Sequence, residues 1–169
     1  EKIEYPQRGI IMNESKEMLK NYLLGWDAYN ARLFSIAEKY FERAINNPKF
    51  EKFMPPYLKV LALHQLADTE LSLGKTDKAK EHVLKAIEQN HDLDKPFGDW
   101  PGYEFRYHAS KDIEDRISDP YRSLGDVLVQ LNDFNKAKEA YEKALSIKSD
   151  YFAAQNRLRI LNGYLDVAD

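Results

Sequence analysis

An all-helical architecture of repeated helical hairpins is what this sequence predicts, and three observations carry that expectation. Only seven Gly and seven Pro interrupt 169 residues, while Ala, Leu, Lys, Glu and Tyr recur throughout, a composition that favours long helices over short strands joined by turns. Hydrophobic residues form 43% of the chain, enough to bury a core in one domain or one short solenoid. A spaced pattern of small and aromatic residues then occurs three times: Leu24-Gly25 with Ala37, Phe41 and Ala44; Leu66-Ala67 with Ala79, Val83 and Ala86; and Leu124-Gly125 with Ala137, Tyr141 and Ala144. Internal similarity of this kind is the signature of a repeat architecture.

The pattern has a packing reason. Two antiparallel helices approach closely only where small residues meet, so Gly25, Ala37 and Ala44 admit the contact that Phe41 fills. In the second copy, Gly74-Lys75-Thr76 reads as the turn between helices, and in the third Asn132-Asp133 does, with Thr76 and Asp133 as expected N-caps. Asp119-Pro120 reads in the same way as an N-cap followed by Pro at the first helical position. Pro55-Pro56 must stop one helix and start another. Tyr151 to Val167 reads as a closing amphipathic helix, with Phe152, Leu158, Leu161 and Leu165 apolar and Arg157, Arg159 and Asp166 polar. A terminal helix in a stacked array is expected to keep a polar outer face.

These residues resemble the tetratricopeptide repeat, whose pattern places an aromatic before Leu-Gly, then a central Ala, an aromatic and a further Ala. The third copy resembles it best, with Tyr121 ahead of Leu124-Gly125 and Asp133-Phe134 at the turn; Asn21 and Leu63 replace the leading aromatic in the other two. Both intervals between central alanines exceed the family period of about 34 residues, so the array is interrupted twice. The organisation expected is an N-terminal tail over 1–14 and one domain over 15–169. Within it lie repeats at about 18–51, 60–93 and 118–151, an insertion over 94–117 and a capping helix over 152–169.

Charge and composition exclude several classes. A formal net charge of −3 offers no basic footprint for nucleic acid. No apolar run approaches the roughly 20 residues of a membrane-spanning helix, so neither nucleic acid nor membrane insertion is expected of its partners. Zero Cys removes disulfides, thiolate metal sites and a Cys nucleophile. Gly74-Lys75-Thr76 has Thr69 where a phosphate-binding loop needs Gly, so it is a turn. His64, His82, His91 and His108 show no metal-ligand spacing, and no acid–base dyad is legible. No cofactor, metal or catalytic residue is expected, and the compartment and oligomeric state are left open.

Two features rise above this background. Tyr22, Trp26, Tyr29 and Asn30 lie along one side of the first helix. The family resemblance implies that the first helix of each repeat lines a groove for a partner peptide. Those four would then share it with His64 and Asp68 from the second repeat and with Arg122 and Asp126 from the third. The other reading of Tyr22 and Trp26 is core, covered in part by Ile3, Tyr5, Ile10 and Ile11. Some members of the family clamp a C-terminal carboxylate with Lys, Asn and Arg; the matching positions here hold Tyr22, Trp26, Gln65, Asp119 and Ser123, so that clamp is absent.

The second feature is the insertion, where Phe97, Trp100, Tyr103, Phe105 and Tyr107 crowd a Pro- and Gly-rich stretch. It is expected to be ordered, either as a plug or spacer between repeats or as a direct partner contact. The resulting expectation is a non-catalytic scaffold that binds another protein or peptide segment. An accessory domain of an enzyme or secretion complex, or a small-molecule or sugar binder using Trp26 or Trp100, stands as the alternative.

Overall fold

A computed structural model describes the backbone of residues 6–50, 56–89 and 109–168, and the side chains of 16–50, 58–89 and 117–168. The described residues form seven helices: α1 (Pro6–Asn30), α2 (Phe34–Ile45), α3 (Pro56–Ser72), α4 (Thr76–Gln89), α5 (Ala109–Gln130), α6 (Phe134–Ile147) and α7 (Phe152–Ala168). Helices α1 and α2, α3 and α4, and α5 and α6 pack as hairpins. Each hairpin then stacks on the next, α3 also touches α5, and α7 closes the array against α6. This is the all-α repeat architecture that the spacing predicts.

The three turns share one backbone solution. Arg32, Gly74 and Asn132 sit at equivalent places in the pattern and take left-handed conformations, with φ of 60°, 76° and 58°. The amides that follow, of Leu33, Lys75 and Asp133, reach back to the carbonyls of Ala28, Glu70 and Leu128 at 2.9, 2.8 and 2.9 Å. These six-to-one bonds end a helix tightly and reverse the chain. Gly74 enters this conformation freely, Asn132 tolerates it, and Arg32 does so against its Cβ.

The close approach inside each hairpin also follows the pattern. A Cβ placed on Gly25 would lie 2.8 Å from the Phe41 ring, and one on Gly125 would collide with the Tyr141 ring. Ala37, Phe41, Ala79, Val83, Ala137 and Tyr141 are all buried beneath these contacts. In the middle hairpin, Ala67 and Val83 replace the Gly–aromatic pair, because a smaller filler leaves room for a methyl group.

Several boundaries differ from the sequence reading. Helix α1 begins at Pro6, inside the stretch assigned to the tail, because Pro suits the first helical position and little in 7–24 breaks a helix. Helix α5 begins at Ala109, inside the expected insertion, and runs through Pro120. Asp119-Pro120 therefore does not start a helix. Thr76 is the first helical residue rather than the cap, since Lys75 supplies the carbonyl for the Ala79 amide at 3.0 Å. Asp133 stands at the cap but makes no side-chain cap bond; its carboxylate lies 3.6 Å from Lys136. Phe152 is 75% exposed rather than apolar core. Leu161, with Leu158 and Leu165 beside it, forms the buried side of α7.

Candidate functional site

The chemistry gathers where α3 meets α5, with side chains of α6, α7 and the residue before α7 reaching in. Asp119, Arg122 and Asp126 stand three and four residues apart on α5, so one helix face carries all three. Arg122 reaches across to α3, where Nη2 donates to Asp68 Oδ2 at 2.9 Å and Nη1 to Oδ1 at 3.3 Å. The same guanidinium donates to Asp126 Oδ2 at 3.0 Å and to Asp119 Oδ1 at 3.1 Å. Its five donors form the rigid fork that a planar carboxylate accepts best.

The ring of contacts continues onto the last two helices. Tyr141 donates its hydroxyl to Asp126 Oδ1 at 2.6 Å, and Arg157 Nε donates to the same oxygen at 2.6 Å. Tyr151 donates to Asp119 Oδ1. Beneath lies His64, with 2% of its side chain exposed, its Nε2 3.6 Å from Asp119 and its Nδ1 4.0 Å from Asp68.

Burial and charge set the protonation states. Burial pushes His64 below its ordinary pKa, overcoming the attraction of Asp119 and Asp68, so the ring is neutral near pH 7. Asp119 is held below the ordinary carboxylate range: burial opposes this, but the His64 ring, the Arg122 guanidinium and the Tyr151 hydroxyl outweigh it. Arg122 is raised well above its usual value because Asp68 and Asp119 outweigh its desolvation. Burial and the neighbouring aspartates push Tyr29, Tyr141 and Tyr151 upward, keeping each hydroxyl a donor. The arrangement is a fixed, oriented set of charges and donors.

A cleft of about 770 Å³ opens beside this network. Asp126, Tyr141 and Arg157 contribute its polar side, and Leu71, Val129, Phe134, Ile160, Leu161 and Tyr164 its apolar side. Ile160 and Tyr164 are both more than half exposed. They stand four residues apart on α7, which also lines the cleft with Arg157 and Leu161.

The sequence-derived candidates separate into groups. His64, Asp68, Arg122 and Asp126 come together, and the Tyr29 hydroxyl lies within the field of Asp68, Arg122, Asp119 and Asp126. Tyr22 belongs to the core, with its ring 6.0 Å from that of Phe41. Trp26 is 37% exposed and stacks on Tyr29 at 5.9 Å and 13°; Asn30 is exposed at the end of α1. Phe97, Trp100, Tyr103, Phe105 and Tyr107 lie outside the described residues. Asp119, Tyr141, Tyr151 and Arg157 were not among the candidates. The spacing of Asp119 with Arg122 and Asp126 would have shown the ladder had Pro120 not read as a helix start.

A second polar cluster joins the first two hairpins. Among the described residues, Glu38, Glu42 and Glu70 alone form a group with metal-like spacing, their oxygens within 4.8 Å of one another. Lys75 Nζ lies 2.5 Å from Glu38, and His82 Nδ1 lies 2.9 Å from Glu70. A cation of the chain itself thus compensates the carboxylates.

Fold and site together define a helical-hairpin repeat protein whose first helices share one charged face. The tetratricopeptide repeat family profile matches residues 60–92 and 120–151, so the chain carries tetratricopeptide repeats. Among solved structures, the first TPR domain of Spaghetti (RPAP3), bound to the HSP90 peptide SRMEEVD, is similar at a TM-score of 0.64 and 18% identity, covering 90% of this chain and 95% of that one. The Sgt2 TPR domain from Aspergillus fumigatus gives a TM-score of 0.65 at 19% identity, over 90% and 81%. The TPR2AB domain of yeast Sti1, in complex with pHSP90, gives 0.65 at 20% identity, over 89% of this chain and 48% of that one. At these identities the likeness is one of fold. No curated protein matches the sequence significantly.

Proposed function

We propose that this chain is a non-catalytic interaction scaffold that receives a segment of another protein along the face shared by α1, α3, α5 and α7. The cleft beside Asp126 and Arg157 carries this reading. It is large enough for several side chains, and its apolar wall ends on Ile160 and on Tyr164, whose ring packs on Phe134 yet stays more than half exposed. Trp26, Tyr29 and Asn30 extend the face at one end, and His64, Asp68, Arg122 and Asp126 form its centre.

Two of the similar structures hold HSP90-derived ligands, and one of these, SRMEEVD, is acidic. A similar acidic tail is a poor ligand for this face. Asp119 stands among the positions where a carboxylate clamp would need a cation, and with Asp68 and Asp126 it already occupies the Arg122 guanidinium.

The test is selection of ligands from a random-peptide display library on wild type and on Ile160→Asp. Peptides that bind wild type and lose affinity on the variant, while its helical circular dichroism is retained, are the expected result. A library yielding only peptides indifferent to Ile160→Asp and to Tyr164→Ala would rule out the face as a docking site.

A further inference from the structure

We propose that Glu38, Glu42 and Glu70 form a calcium site at the joint between the first two hairpins, and that the Lys75 ammonium stands in for the ion when none is bound. Glu38 and Glu42 lie one turn apart on α2, and Glu70 comes from α3, the helix on which α2 stacks. Each carboxylate brings an oxygen to one place, the three oxygens lying within 4.8 Å of one another. Like charges this close repel, most strongly where water is scarce, so the arrangement holds only around a cation.

The position of that cation is marked by Lys75. Its Nζ lies 2.5 Å from Glu38 Oε1. Its pKa is raised chiefly by that hydrogen bond, and the charges of Glu38, Glu42 and Glu70 add to the effect against some desolvation. One ammonium thus stands in the field of all three carboxylates. The side chain is 42% exposed, and the backbone of Lys75 is fixed separately, its amide donating to the Glu70 carbonyl at 2.8 Å. The ammonium can therefore swing into water while the turn stays folded.

Two buried oxygens show what the ammonium leaves unsatisfied. Glu38 is 8% exposed and Glu70 fully buried, yet Glu38 Oε2 and Glu70 Oε1 accept no hydrogen bond among the described residues. His82 Nδ1 lies 2.9 Å from both Glu70 oxygens, and a single ring N–H serves only one of them. A buried acceptor without a donor is costly. A metal ion satisfies several such oxygens at once.

The donor set selects the ion. Carboxylate oxygens suit hard cations rather than the softer metals that thiolate or imidazole would hold. A spread of up to 4.8 Å is spanned by two Ca–O bonds of about 2.4 Å each, whereas two Mg–O bonds reach only about 4.1 Å. Carboxylates that bind through both oxygens approach the ligand number that Ca²⁺ takes, and water can complete the shell beside partly buried Glu42.

The experiment titrates the full chain with CaCl₂ and reads the heat of binding and the thermal midpoint by circular dichroism. Saturable binding of one ion per chain, with a rise in the midpoint, is the expected result. Lys75→Met removes the competing ammonium and should bind about two- to fivefold tighter. Glu42→Gln should weaken binding about tenfold or more, and Glu70→Gln should abolish it. Should Glu70→Gln fail to fold, the partly buried Glu42 carries the test. Absence of saturable binding in wild type would overturn the site, even if Lys75→Met alone bound Ca²⁺, since the ammonium would then be the permanent occupant. Undiminished binding by Glu42→Gln, or an equal response to MgCl₂, would overturn it as well.

Discussion

The outer hairpins and the middle one obey the same pattern and fill it differently. In α1–α2 and α5–α6 a glycine faces an aromatic ring, Gly25 against Phe41 and Gly125 against Tyr141; in α3–α4, Ala67 and Val83 share a cluster. The larger difference lies one helical turn further on. Ala28, Glu70 and Leu128 hold equivalent positions and all are buried, yet the middle one is a carboxylate. Its partner His82 stands where the other copies have Tyr40 and Ala140. Helix α3 is covered by α2, α4 and α5, so its polar side chains His64, Gln65, Thr69 and Glu70 have almost no access to water. Thr69 donates to the Gln65 carbonyl and Glu70 meets His82, whereas both ring nitrogens of His64 and Gln65 Oε1 have no hydrogen-bond partner among the described residues, and buried unpaired polar groups are costly. The middle hairpin therefore brings polar side chains into its core where the outer two bring glycine and aromatic rings, and the Arg122 network on α5 lies at the seam between the middle hairpin and the third.

The largest expected effect is at the seam between the middle and third hairpins, with Arg122→Met. It leaves Asp68, Asp119 and Asp126 with one guanidinium between them, and should cost about 3–5 kcal/mol in urea unfolding. A loss under about 1 kcal/mol would show that the network behaves as a surface set of ion pairs. Next comes the packing side. Gly125→Ala drives a methyl group into the Tyr141 ring and should cost about 1–3 kcal/mol, read as a fall in the urea midpoint. Its counterpart Ala67→Gly should cost only about 0.5–1 kcal/mol, the ordinary helix penalty. Equal losses at the two sites would erase the distinction between the hairpins.

The turns give a smaller effect of opposite sign. Arg32→Gly relieves a left-handed conformation that Gly74 already enters freely, and should stabilise the chain by about 0.5–1 kcal/mol in the same measurement. The last effect vanishes near neutral pH. His64 has a folded pKa below its ordinary 6.5 because burial opposes its charge, so below that pH the unfolded chain binds a proton that the folded chain refuses. Stability is full above about pH 6.5 and falls on acidification towards the folded pKa. His64→Gln should flatten that part of the stability–pH curve; an unchanged slope would locate the titration elsewhere.

Much of the fold was legible because its causes are local. The Leu-Gly, Ala and aromatic spacing identifies which helices pair, and Gly74 and Asn132 mark two of the three turns. Boundaries were less legible. Pro120 reads as a helix start, yet α5 carries it internally, because the packing of Asp119 and Arg122 against α3 and Tyr151 holds the helix continuous. The apolar side of α7 was misjudged at Phe152 for a related reason: four apolar residues define a stripe, but only contact with α6 decides which of them face inward.

The sequence by itself determined the three hairpins, since each depends on small and large residues spaced within a single helical pair. It also placed His64, Asp68, Arg122 and Asp126 on related helix faces. Tertiary structure alone decided that they touch. Asp68 and Arg122 are 54 residues apart in the chain, and no periodicity relates them. Their meeting depends on how the second and third hairpins stack, which sets whether a side chain reaches a partner or water. The same stacking sent Tyr22 into the core and left Trp26, four residues later, on the surface.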